Sequence, residues 1–143
     1  MPHYFFSWEE YVLLKLREVK ELLEAEVFTG EDKLDLEVES GFGSDLMSDV
    51  LAFARGKVIL LTGLTNNHVI NTATMVDAVA VVFVRGKRPG PELIAAAEKI
   101  GLPLLGTRFI MFSSCGRLYQ AGLKGCSELR VGENLAGETD EEK

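Results

Sequence analysis

At 143 residues, 47% of them apolar and 26% charged, the chain is long enough for one domain whose core needs neither disulfides nor metal. A net charge of −7 argues against a general nucleic-acid binder, and no apolar run approaches the roughly 20 residues that span a bilayer. The charge is uneven: residues 1–50 carry −9, residues 51–123 carry +5 and residues 124–143 carry −3, so a small anion is favoured over the middle segment.

The opening Met1-Pro2-His3-Tyr4-Phe5-Phe6 has no basic stretch and runs straight into Glu9 and Glu10, which does not read as a signal peptide. Cys115 and Cys126 are too few and too oddly spaced for a disulfide framework or a zinc site; a reducing, cytoplasmic setting fits them. Tyr4, Phe5, Phe6, Trp8 and Tyr11 are expected to form a turn packed on the body or on a second subunit, within an extension spanning residues 1–14.

From Lys15 the pattern is helical, with Leu16, Val19, Leu22 and Leu23 at three- and four-residue spacing. Val27-Phe28 reads as a short strand and Thr29-Gly30-Glu31-Asp32 as a turn. Leu34, Leu36 and Val38 alternate with charged residues, which predicts a half-buried strand. Gly41-Phe42-Gly43-Ser44-Asp45 reads as a tight turn opening a helix capped by Ser44 or Asp45, more readily than as a fragment of a dinucleotide fingerprint. That helix is expected to be mostly buried through Leu46, Met47, Val50, Leu51, Phe53 and Ala54, with Asp45 and Asp49 on one face.

Three apolar runs, Val58–Leu61, Val79–Val84 and Leu102–Leu105, each end at a glycine flanked by polar groups, and a helical pattern follows each. This is the order of parallel strands joined by crossover helices, and it places the following loops on one edge of one sheet. Asn66 and its neighbours cap the helix running to about Asp77. Pro91 opens the next, with Leu93, Ile94, Ala97 and Ile100 facing inward, and Gly101 closes it. A last helix near Met111–Ala121 ends at Gly122, and residues 124–143 read as a mobile acidic tail. The fold class is therefore α/β, a single domain with a mainly parallel core sheet flanked by helices.

The strand-end loops hold the candidate site. Thr62-Gly63-Leu64-Thr65-Asn66-Asn67 is the densest uncharged hydrogen-bonding run in the chain, suited to a phosphate or carboxylate at a helix start. Arg85-Gly86-Lys87-Arg88 and Arg108 end the next two strands, and paired guanidinium groups suit phosphate. The candidate ligand-binding set is thus Gly43, Ser44, Asp45, Thr62, Gly63, Thr65, Asn66, Arg85, Gly86 and Arg108. His68 as a base and Cys115 as a thiol of lowered pKa are the catalytic alternatives. No catalytic residue, metal or cofactor is assigned.

Four segments carry a family resemblance: Glu39–Val50, Leu61–Asn66, Ala80–Pro89 and Cys115–Tyr119. In that order they resemble the DRTGG domain over about residues 15–123. Asp45 stands at the family's acidic position, and Val84-Arg85-Gly86 where many members have Thr-Gly-Gly. The resemblance implies a regulatory module like those beside CBS domains in some pyrophosphatases and before the catalytic domain of some phosphotransacetylases. It also implies a fold similar to the amino-terminal domain of HPr kinase. Stand-alone members encoded near hydrogenase and histidine-kinase genes imply a protein partner in redox or energy-metabolism signalling. The expected function is a non-enzymatic sensor that binds a small anion such as a nucleotide and acts as a homodimer or through a partner, with no nucleic acid or membrane involved. The alternatives are a small enzyme using Asp45, His68 and the arginines on a phosphorylated or carboxylated metabolite, and a purely structural subunit.

Overall fold

The computed structural model describes residues 12–126. The N-terminal aromatic cluster and most of the acidic tail lie outside these residues.

Five strands form a parallel core. In chain order they are β4 (Ser40–Gly43), β5 (Val58–Thr62), β6 (Ala80–Phe83), β7 (Leu104–Gly106) and β8 (Lys124–Gly125). A sixth strand, β2 (Glu26–Thr29), runs antiparallel on the outer edge of β7, which gives the order β2-β7-β6-β5-β4-β8. The three strands expected from the apolar runs are adjacent and parallel, with Leu60 opposite Val81 and Val82 opposite Leu105. Both faces of β5 and β6 are covered, which is why these segments are continuous apolar runs rather than alternating ones.

Helices α2 (Met47–Phe53), α3 (Asn67–Met75) and α4 (Pro91–Ile100) pack on one face. Their Val50, Val69, Ala73, Leu93 and Ala97 join Val58, Leu60, Val81 and Phe83 in one apolar cluster. On the other face lie α1 (Leu16–Leu22) and α5 (Met111–Gln120), where Leu16, Val19 and Leu118 meet Ile59, Leu61, Val82 and Leu105. From β4 the chain steps outward to β7, and α5 then carries it back to set β8 on β4's other side. Right-handed crossovers in opposite directions must use opposite faces. The strand order therefore reverses at β4.

Several expectations are corrected. Gly41 and Gly43 lie in strand β4, not in a turn, in register with Ile59 and Leu61; their weak strand preference hid the strand. The Leu34–Val38 stretch pairs only through β3 (Glu37–Val38), antiparallel to β1 (Leu14–Lys15). Leu36 is exposed because the carbonyls of Leu34 and Leu36 turn to accept the N–H groups of Arg17 and Leu16 at the start of α1. Helix α2 buries only Val50 and leaves Leu51 and Phe53 exposed, as is Leu46 before it. At seven residues it has one short face to offer the sheet. Ile100, in the last turn of α4, is also exposed. Regular structure extends beyond the limits expected for the body: Leu14 pairs in β1, which with β3 forms a separate two-stranded sheet, and β8 lies within the expected tail, where it pairs β4's outer edge in the main sheet. That edge's backbone groups would otherwise lack partners.

Among the described residues Phe83 is the largest fully buried side chain. Phe83→Ala is expected to cost about 3–5 kcal/mol, read as a fall in the urea midpoint at unchanged slope. A loss below about 1 kcal/mol would displace β6 from the centre of the core.

Candidate functional site

The site is built at the carboxyl ends of β4, β5 and β6, where the chain leaves the sheet in three adjacent loops. Ser44 directs the first: its N–H donates to the Leu61 carbonyl at 3.0 Å, and its hydroxyl accepts from the Leu46 N–H at 2.9 Å. This turn delivers Asp45 to the end of β5. One carboxylate oxygen of Asp45, Oδ1, accepts from the Thr62 hydroxyl at 3.0 Å and from the Gly63 N–H at 2.7 Å. Thr62, fully buried, in turn accepts from the Leu64 N–H at 3.2 Å. Asp45 therefore precedes α2 and clamps two strand ends. It neither caps that helix nor shares a face with Asp49, because its carboxylate is already committed across the sheet.

The other oxygen, Oδ2, lies 3.7 Å from the Arg85 guanidinium, and both side chains are about half exposed (45% and 47%). Arg85 lies over Gly63, where an added Cβ would run into the guanidinium. Its backbone is unusual: φ is 62° at Arg85 and 72° at Gly86, and the Lys87 N–H returns to the Val84 carbonyl at 3.2 Å. Two consecutive positive φ values mark a type I′ turn. A left-handed residue other than glycine costs about 1–2 kcal/mol. The turn is held by the Arg85 N–H on the Phe109 carbonyl at 2.8 Å and the Gly86 N–H on the Thr107 carbonyl at 2.9 Å. Among the described residues the Arg85 guanidinium makes no hydrogen bond; the Asp45 carboxylate is its charged neighbour, and the side chain stays about half exposed.

The remaining expected site residues are distributed differently. Asn66 caps α3 by accepting the His68 N–H at 3.0 Å, beside a half-buried Thr65. His68 is exposed. Arg108 does not join Arg85: it donates to Glu24 at 3.2 Å and lies over the Phe109 ring at 5.8 Å. Arg88 donates through both terminal guanidinium nitrogens to the Glu26 carboxylate at 2.7 and 3.0 Å, with the Phe28 ring 4.9 Å away. The pairing holds the Glu26 carboxyl below and Arg88 above their ordinary values. Each strand-end arginine thus has an acidic neighbour drawn from the first 50 residues. The expected basic site is electrostatically balanced, because the fold brings the negative segment onto the positive one.

Cys115 lies in the second turn of α5, and burial pushes its thiol pKa up rather than down. Its Sγ faces Gly43, beside a cavity of about 250 Å³ lined by Gly41, Gly43, Leu61, Cys115, Leu118 and Tyr119. The Gly-x-Gly spacing in β4 was the signal for this hollow, legible only once those residues are seen as a strand. Among the described residues no group of three or more His, Cys, Asp or Glu side chains is placed to hold a metal. No helix among them is long and apolar enough to cross a membrane.

No protein-family model and no curated protein matches the sequence. The fold does match a solved structure, that of the CBS and DRTGG domains of the regulatory region of Clostridium perfringens pyrophosphatase complexed with its activator, diadenosine tetraphosphate. The TM-score is 0.63 at 15% identity, over 76% of this chain and 47% of that one. The chain spans about half the length of that structure, and the likeness supports a DRTGG-like fold.

Because Arg85 occupies a conformation that glycine adopts freely, Arg85→Gly is expected to leave the urea midpoint unchanged or raise it. Arg85→Val is expected to lower stability by about 1 kcal/mol or more. If Arg85→Gly proves the more damaging of the two, Arg85 serves to stabilise the fold rather than to meet a ligand.

Proposed function

We propose that this chain is a non-enzymatic regulatory domain that binds a small anionic metabolite, a nucleotide by preference, at the carboxyl ends of β4–β6. The observation that carries the reading is the Arg85 guanidinium, held on a strained turn over Gly63, half exposed beside Asp45 and hydrogen-bonded to no described residue. Strained backbone that other contacts must maintain is concentrated at functional sites, and a surface arginine needs no such arrangement.

Asp45 decides which anions suit the site. A bare anion gains from Arg85 but is opposed by the carboxylate beside it. A ligand that offers an anionic group to Arg85 and a hydroxyl to Asp45 satisfies both, and a nucleotide carries phosphate and ribose together. On this reading the Gly63 loop, Thr65 and the Asn66-capped start of α3 would supply the neighbouring wall, and Gly86, with nothing near its Cβ position, leaves room beside Arg85. Arg108 stands apart from this set. The fold's likeness to a regulatory region that binds a nucleotide activator supports the same reading.

The domain would act in a reducing cytoplasm through a second copy of itself or a signalling partner. Leu46, Leu51 and Phe53 on and before α2, with Met75 at the end of neighbouring α3, are exposed; apolar surface of this kind favours an interface, and two-fold pairing is the default symmetry. Light scattering at micromolar concentration is expected to give twice the 15.7 kDa chain mass. Monomer mass alone would remove the homodimer.

Binding is tested by calorimetry with AMP and ATP. Arg85→Ala should weaken association by about 1.5–3 kcal/mol, the worth of a hydrogen bond to a charged group, or roughly 10- to 150-fold, with the fold retained. If no nucleotide or phosphate shifts the melting temperature of the native protein, the sensor reading gives way to the structural-subunit one.

A further inference from the structure

Three observations tie the cavity between α5 and β4 to the strand-end site. The first is its origin. Gly41 and Gly43 point to the α5 face of β4, where an added Cβ at Gly43 would meet Cys115 Sγ and Met111 Sδ at 2.9 Å and one at Gly41 would meet Leu123 at 3.4 Å. The strand therefore presents bare backbone where its neighbour β5 presents Ile59 and Leu61. The space left is lined by Leu61, Leu118, Cys115, Tyr119 and Lys124.

The second is an open edge. The N–H groups of Ser40 and Ser44 both turn toward β5, to Lys57 at 3.3 Å and Leu61 at 3.0 Å. Successive residues of a strand alternate sides, so the N–H and C=O of Gly43 point the other way, toward β8. But β8 stops at Gly125, opposite Gly41. Among the described residues Gly43 thus has a sheet neighbour on one side only, and its donor and acceptor point past the described end of β8, beside the cavity that Gly43 lines.

The third is register. Gly43 lies opposite Leu61, and Gly63 follows two residues later on the same face. Strand spacings of about 4.8 Å across and 3.3 Å along put the Arg85-covered Gly63 about 8 Å from Gly43.

From these we propose that the cavity is the base pocket of the strand-end site and takes the fused-ring heterocycle of a purine nucleotide. The ring enters between α5 and β4, the Gly43 backbone reads its polar edge, and Arg85 receives the phosphate. A cavity of about 150 Å³ accepts one benzene ring, and about 250 Å³ suits two fused rings. The span from Gly43 to Gly63 matches that between the base and the phosphate of a nucleoside monophosphate. This inference rests on the anion-binding reading above but adds the ring and its position.

The experiment compares AMP with ribose 5-phosphate, which keeps the phosphate and the sugar but lacks the ring. Native protein is expected to bind AMP at least tenfold more tightly. Gly41→Leu adds bulk to the cavity wall from a position where the Cβ itself makes ordinary contacts at 3.4 and 3.7 Å. It should bring AMP down to the level of ribose 5-phosphate and leave the latter unchanged. Alkylation of Cys115, followed by peptide mass, should be slowed by AMP and not by ribose 5-phosphate; this arm needs no variant and stands if Gly41→Leu does not fold. Equal affinity for the two probes, or AMP binding without protection of Cys115, overturns the base pocket while leaving the Arg85 site in place. Binding of neither probe overturns both.

Discussion

The arrangement of the sheet's carboxyl end depends on one constraint, the near absence of side chains on one face of β4. With Gly41 and Gly43 bare, α5 approaches until Cys115 and Met111 meet the Gly43 backbone. The same absence leaves the hollow beside Leu61 and Leu118. At the end of this strand Ser44 turns the chain so that Asp45 reaches Thr62 and Gly63. A side chain at Gly43 would force α5 outward. The wall of the cavity and the seat of Asp45 would then shift together.

β4 is also the strand at which the order of the parallel sheet reverses, since β5 and β8 flank it and are reached by helices on opposite faces. Loops diverge at such a point, and open α/β sheets place ligands in the crevice it leaves. Here the crevice has two chemically different parts. One is mostly apolar and lies between α5 and β4. The other is polar, with Asp45 and Arg85 3.7 Å apart. The cost of a left-handed Arg85 falls on the polar part, where the Thr107 and Phe109 carbonyls maintain the turn.

Electrostatic balance shapes what the polar part can select. Glu24, Glu26 and Asp45 sit beside Arg108, Arg88 and Arg85. Exposed pairs of this sort add little stability, but they cancel the field that the segment charges would otherwise produce. Attraction of an anion then depends on local geometry rather than on a broad positive surface. A site with donor and acceptor side by side discriminates by the pattern of groups on the ligand rather than by its charge.

The α/β class, the three central strands and the convergence of their loops were determined by the sequence alone, because strands buried on both faces must be continuously apolar and end abruptly at polar turns. The caps at Asn66, Pro91 and Gly101 were legible for the same local reason. Tertiary structure decided the rest. β4 and β8 exist because neighbours pair their backbones, which glycine-rich or two-residue segments do not announce. The exposure of Leu51 and Phe53 depends on how little of a seven-residue helix the sheet can reach. The parting of Arg85 from Arg108, and the meeting of Asp45 with Thr62 and Gly63, arise from contacts between residues 17 or more apart in the chain. No local pattern encodes such distances; they follow from strand order, and strand order is a property of the assembled sheet.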